Sequence, residues 1–206
     1  MIDRATAHWI DLSLVEGLGP AGYRSLLSAF GLPEEVLAAS RGQLERIVGP
    51  AIAESIKRND RISRVDSTIA WLEGPNRHLL TLADPTYPRA LLEISDPPPL
   101  IYVFGNPEWL TRPALAIVGS RNSTAQGRET AEKFARALSQ AGLTIVSGLA
   151  LGIDTAAHQG GLEGNGSTVA IIGTGVDVVY PRANERLADE IASVSYTHLR
   201  AHETRE

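Results

Sequence analysis

Three segments decide the fold of this chain: AIVGSR (Ala116–Arg121), IVSGLALGID (Ile145–Asp154) and VAIIGTGVD (Val169–Asp177). Each is a short β-rich apolar run that breaks into a glycine-bearing loop, and each is followed by a segment with helical patterning. Thr124 or Ser123 is placed to cap a helix running to about Ala141, with Ala131, Phe134, Ala135 and Leu138 on its inner face. Gly142 ends that helix, Leu143–Val146 form the next strand, and Asp154 is placed to cap a short helix carrying Ala156, Ala157 and His158. Thr168–Ile172 then read as the third strand, and Asn184 as the cap of a helix over Glu185–Ala192. Three such units in succession predict an α/β fold, a Rossmann-like parallel sheet with helices on both faces. If the crossovers are right-handed, all three loops open at one edge of the sheet.

Working outward, residues 1–74 read as a small all-α domain and 75–192 as the Rossmann-like domain. Gly19-Pro20-Ala21 turns into a helix, and thirty residues later Gly49-Pro50-Ala51 does the same. These paired turns resemble helix-hairpin-helix units of a SAM-like bundle, whose hairpin amides can touch a nucleic-acid backbone; equally, the glycines can simply turn short helices. Ile62, Val65, Ile69 and Leu72 fall at helical spacing and predict an amphipathic linker helix ending near Gly74-Pro75. The proline-rich stretch His78–Leu110 reads as an edge strand, a turn, a short helix and another strand, with Tyr87 and Trp109 as packing residues.

Composition narrows the function classes. The 206 residues are 43% hydrophobic and 21% charged, and no apolar run approaches the roughly 20 residues that span a bilayer. No membrane partner is expected. The N-terminus MIDRATAHWIDL lacks the apolar core of a secretory signal. The absence of cysteine excludes disulfides, thiolate metal sites and cysteine nucleophiles, and fits a reducing cytoplasm. A net charge of −5 argues against a uniformly basic nucleic-acid surface but leaves room for a local one.

The loops favour phosphate. Glycine with serine or threonine between a strand and a helix offers backbone amides reinforced by the helix dipole, and Arg121 adds a permanently charged fork. No G-x-x-x-x-G-K-[ST] is present, and Gly173-Thr174-Gly175 lacks the third glycine of the dinucleotide fingerprint. Asp154 and His158, four apart, suggest an acid–base pair or two metal ligands; alternatively, they are an N-cap and a histidine orienting a neighbouring loop. Asp177 can brace the third loop or bond a ribose or base, and Tyr180 can stack on a base or pack on Pro181. No catalytic residue, metal or cofactor is assigned.

Four stretches together, TLADPTYPRALLEISDPPPLIYVFGN, AIVGSRNSTAQG, IVSGLALGIDTAAHQGGL and TVAIIGTGVDVVYPRANERL, resemble the DNA-processing protein A (DprA/Smf) family. The resemblance implies a non-enzymatic single-stranded-DNA-binding protein of natural transformation, which protects incoming DNA and loads RecA recombinase; the intact family forms a homodimer, whose interface is expected to be lost in this chain. It also implies DNA-phosphate contacts from Gly119, Ser120, Arg121, Ser147 and Gly148. Ser123, Thr124, Gly173, Gly175 and Asn184 join them as loop or cap residues of the same site. The chain departs from the family after Ile191, where SVSYTHLRAHETRE (193–206) reads as a non-native or disordered tail, its His198 and His202 included. On that reading the sheet lacks its last strands, and the exposed edge predicts poor solubility. A nucleotide-phosphoribohydrolase-like (LOG-type) enzyme holding a nucleoside monophosphate is the alternative, weakened by the missing Pro-Gly-Gly-x-Gly-Thr run.

Overall fold

The computed structural model describes residues 3–58, 60–173 and 179–195. They fall into two compact units, one of residues 3–84 with Arg89–Leu100, the other of Pro85–Pro88 with residues 101–195.

The first unit is mainly helical: α1 (Arg4–Ser13), α2 (Pro20–Phe30), α3 (Pro33–Ala38), α4 (Arg41–Lys57) and α5 (Ile62–Leu72), then β1 (Arg77–Thr81) and α6 (Arg89–Leu92). Asp3 caps α1 by accepting from the Thr6 amide. Pro20 stands in the first turn of α2, where a missing N–H costs nothing. Gly49, at φ 78°, breaks the helical path of α4 immediately before Pro50, so the second Gly-Pro also opens a helical segment. The sequence repeat is therefore a repeat of helix entries. Ile10, Leu12, Tyr23, Leu26, Val36, Leu44 and Ala53 fill the core. Trp9 stacks on Tyr23, and the Tyr23 hydroxyl donates to the Trp9 carbonyl at 3.0 Å. Arg61 is buried with its charge satisfied, by Asp11 at 2.7 Å and by the carbonyls of Ser55 and Ile56. In α5, Val65 and Leu72 face inward as expected, whereas Ile62, the first helical residue, is exposed.

The second unit takes in residues 101–104 of β2 (Leu100–Phe104), a 3-10 turn at Pro107–Thr111, β3 (Ala114–Ala116), α7 (Ala125–Gln140), β4 (Thr144–Ser147), α8 (Ile153–Leu162), β5 (Thr168–Ala170) and α9 (Glu185–Ser195). The sheet runs β3-β4-β5, all parallel, with Leu115 opposite Ile145 and Val146 opposite Val169. This is the Rossmann-like α/β arrangement expected from the sequence. The strands are shorter or shifted: the first spans Ala114–Ala116 and not Ala116–Val118, while Ile117 and Ile171 each add one further amide bond to β4, at 2.9 and 2.8 Å.

Helices α7 and α8 close over the sheet through Ala135, Ile145 and Ala157, and α9 packs on Ala170 and Ile172 through Leu187, Ala188 and Ile191. Two glycines permit this closeness. A Cβ at Gly160 would meet the Glu132 carbonyl of α7, and one at Gly161 would sit 2.9 Å from the Thr168 side chain of β5. One expectation is corrected: Phe134 is 63% exposed, and the inner face of α7 is carried by Ala135 and Ser139, with Leu138 partly buried. A hundred degrees of helical rotation per residue separates the two faces, and the smaller side chains occupy the tight one.

Candidate nucleic-acid interface

The three loops do leave the same edge of the sheet, because parallel strands end at one side. The first, from Val118 to Thr124, leads into α7. Thr124 caps that helix, accepting from the Gly127 amide at 3.0 Å; Ser123 does not take that role. The Ser123 carbonyl accepts from Arg128 at 2.7 Å, and its hydroxyl is buried with no partner among the described residues. Gly119, Ser120, Arg121 and Thr124 are exposed. The Ser120 hydroxyl accepts from the Asn122 amide at 3.1 Å, which curls the loop. Among the described residues the amides of Gly119, Ser120 and Arg121 make no hydrogen bond, and the Arg121 guanidinium makes no ion pair.

The second loop supports the first. Gly152, at φ 85°, is the N-cap of α8, and a Cβ there would strike the Ser120 carbonyl. The Ile153 amide donates to that carbonyl at 3.3 Å, and a Cβ at Gly119 would lie 2.7 Å from the Ile153 side chain. Gly119 and Gly152 are therefore the two points at which the loops touch.

Asp154 is not the N-cap. It lies in the first turn of α8, is buried, and its carboxylate accepts from the amides of Gly148 at 3.2 Å and Ala150 at 3.3 Å. That carboxylate occupies the donors that would otherwise face a phosphate. Ser147 is buried as well, its hydroxyl donating to the Ile117 carbonyl at 2.6 Å. Asn184, buried in a 3-10 turn (Arg182–Asn184) before α9, donates through Nδ2 to the Leu149 carbonyl at 2.8 Å and to Thr155 Oγ1 at 3.0 Å. Leu149 is fully buried at φ 60°, a conformation this clamp helps to hold. Gly173 is exposed at the mouth of the third loop; Gly175 and Asp177 lie outside the described residues.

The structure thus divides the expected site. Gly119, Ser120, Arg121, Thr124 and Gly173 are presented to solvent; Gly148 is exposed too but its amide is taken by Asp154, and Ser147 and Asn184 are buried. Sequence reasoning missed Gly152 and Ile153, although a glycine just ahead of a helix is the signal that could have found them. Asp154 and His158 do not form an acid–base pair. His158 Nδ1 is 2.7 Å from Thr168 Oγ1, on the strand side of α8, and burial pushes its pKa down to about 4. Among the described residues no group of three or more histidines and carboxylates is placed to hold a metal ion. None of their helices is long and apolar enough to cross a membrane.

Residues 78–199 match the model of the family described as DNA recombination-mediator protein A. Protein Smf of Synechocystis is 36% identical over 94% of this chain and 50% of its own length. DNA processing protein DprA of Streptococcus pneumoniae is 49% identical over 65% of this chain and 47% of its own length. The chain spans about half the length of these curated relatives. Among solved structures, DNA processing protein A from Streptococcus pneumoniae superposes with a TM-score of 0.78 at 33% identity, covering 100% of this chain and 70% of that one. DNA processing protein A from Helicobacter pylori, whose structure concerns its single-stranded DNA binding mode, matches with a TM-score of 0.52 at 31% identity, covering 59% of this chain and 55% of that one.

Proposed function

The chain belongs to the DNA recombination-mediator protein A family, and on that premise we propose that it binds single-stranded DNA along the edge built by the loops after β3, β4 and β5. The observation that carries this reading is the first loop. Among the described residues it offers three unbonded amides, the Ser120 hydroxyl and an unpaired Arg121 guanidinium on one exposed turn ahead of the 16-residue helix α7. Such a set neutralises a phosphodiester, and little in it discriminates one base from another.

In this reading Gly119, Ser120, Arg121 and Thr124 hold phosphate directly, with Gly173 farther along the same edge, after β5. Ser147, Gly148 and Asn184 act one step back, fixing the second loop on which the first rests; Ser123 closes the entry to α7. The wider role is that of a cytoplasmic factor of natural transformation that protects incoming single strands and loads RecA recombinase. The family description as a recombination mediator and the relatives named for DNA processing support its DNA-processing and recombination part. The chain serves as a binding protein and carries out no reaction of its own.

Electrophoretic shift with single-stranded and duplex oligonucleotides tests the binding. Wild type retains the single strand better than the duplex, and Arg121→Ala loses most of that retention. Equal retention by both proteins contradicts the role of Arg121. For RecA, the lag before filament growth on a coated single strand should shorten when the chain is present.

A further inference from the structure

We infer that Tyr180 is a base-stacking residue of this edge, so that the site grips the faces of bases as well as the backbone. The inference rests on the single-strand reading and adds a residue to it. Tyr180 is 65% exposed, although Val179 before it packs into the cluster of Leu149, Ile172 and Ile191. Asn184 after it is bound to the Leu149 carbonyl. An aromatic ring anchored on both sides at the second loop and still facing water has not been used for packing. These two contacts tether the segment that carries it, which lowers the ordering entropy lost when the ring is presented to a partner.

Its surroundings indicate the partner. Val118, Leu151 and Ile171 are also exposed, at 72%, 46% and 36%, and each adjoins one of the three loops. Val118 directly precedes Gly119, Leu151 precedes the Gly152 that touches the first loop, and Ile171 continues β5. Apolar side chains therefore interleave with the phosphate-seeking amides and with Arg121. A duplex hides its base faces and gains nothing from such an edge, whereas a single strand supplies phosphate and unstacked bases in alternation. Strands β3 and β5 lie two strand spacings apart, about 10 Å, a span that a single strand crosses in a few nucleotides.

The test compares a homothymidine oligomer with an abasic deoxyribose-phosphate oligomer of equal length, using wild type, Tyr180→Ala and Tyr180→Phe in fluorescence anisotropy. Wild type should bind the thymidine oligomer more tightly than the abasic one. Tyr180→Ala should lose about 5- to 150-fold on the thymidine oligomer and almost nothing on the abasic one, while Tyr180→Phe retains both. Equal losses on the two oligomers, a loss in Tyr180→Phe as large as in Tyr180→Ala, or unchanged binding by Tyr180→Ala overturns the assignment and leaves backbone binding standing. Failure of wild type to retain either oligomer overturns the single-strand reading and this inference with it.

Discussion

His158 and Arg121 stand for opposite uses of a titratable or charged side chain. His158 is fully enclosed between α8 and β5. Thr168 donates its hydroxyl proton to the Ile145 carbonyl, so the bond between His158 and Thr168 requires the hydrogen on Nδ1. Nε2 is then a bare, buried nitrogen with no partner among the described residues. Protonating it creates a charge with no acceptor, which is why burial lowers its pKa from 6.5 to about 4. The folded state binds fewer protons than the unfolded one in that interval. The neutral imidazole's contribution is complete above pH 6.5 and is lost as pH falls from 6.5 towards 4, by on the order of 3 kcal/mol. Urea unfolding of wild type and His158→Asn across that interval checks it: the variant, which keeps a donor for Thr168, should lose less stability on acidification. Arg121 has no such structural duty, being exposed and without an ion pair among the described residues. Arg121→Ala should leave the melting temperature unchanged and weaken single-strand binding.

At the scale of elements, the edge depends on contacts that admit no extra carbon. Gly152→Ala combines a positive φ with a clash against the Ser120 carbonyl. It should cost about 1–3 kcal/mol of stability and also weaken DNA binding, because the first loop rides on that turn. Gly160→Ala, on α8 against the Glu132 carbonyl of α7, should cost a similar amount while leaving the affinity of the folded fraction intact. Thermal melts paired with binding titrations separate the two. Periodicity makes the strand–loop–helix units legible, since alternating β-rich runs, capping residues and a terminating glycine at 142 are local signals. The strand ends shift because hydrogen-bond pairing between neighbours sets them, and no single run records its neighbour. The engagement of Ser147, Asp154 and Asn184 inside the second loop is illegible for the same reason: a serine at a strand end reads alike whether its hydroxyl meets a phosphate or the Ile117 carbonyl. Gly119, Ser120 and Arg121 are legible because their exposure follows from the turn itself. The expectations for Gly175, Asp177 and the 196–206 part of the tail fall outside the described residues.

For the whole molecule, a net charge of −5 and a single-strand site coexist only if the attraction is local. Affinity should then fall with salt by an amount set by the few phosphates in contact, and Arg121→Ala should reduce the slope of log K against log salt by about 0.7. Oligomers of different base sequence should bind within a narrow range, because backbone and stacking contacts are tolerant of sequence. The most direct measurement is anisotropy of a labelled homothymidine strand titrated with wild type and Arg121→Ala between about 50 and 200 mM salt. A phosphate-gripping edge predicts tight, salt-sensitive binding by wild type, with both the affinity and the slope reduced in the variant. Identical affinity and identical slope in the two proteins would contradict it.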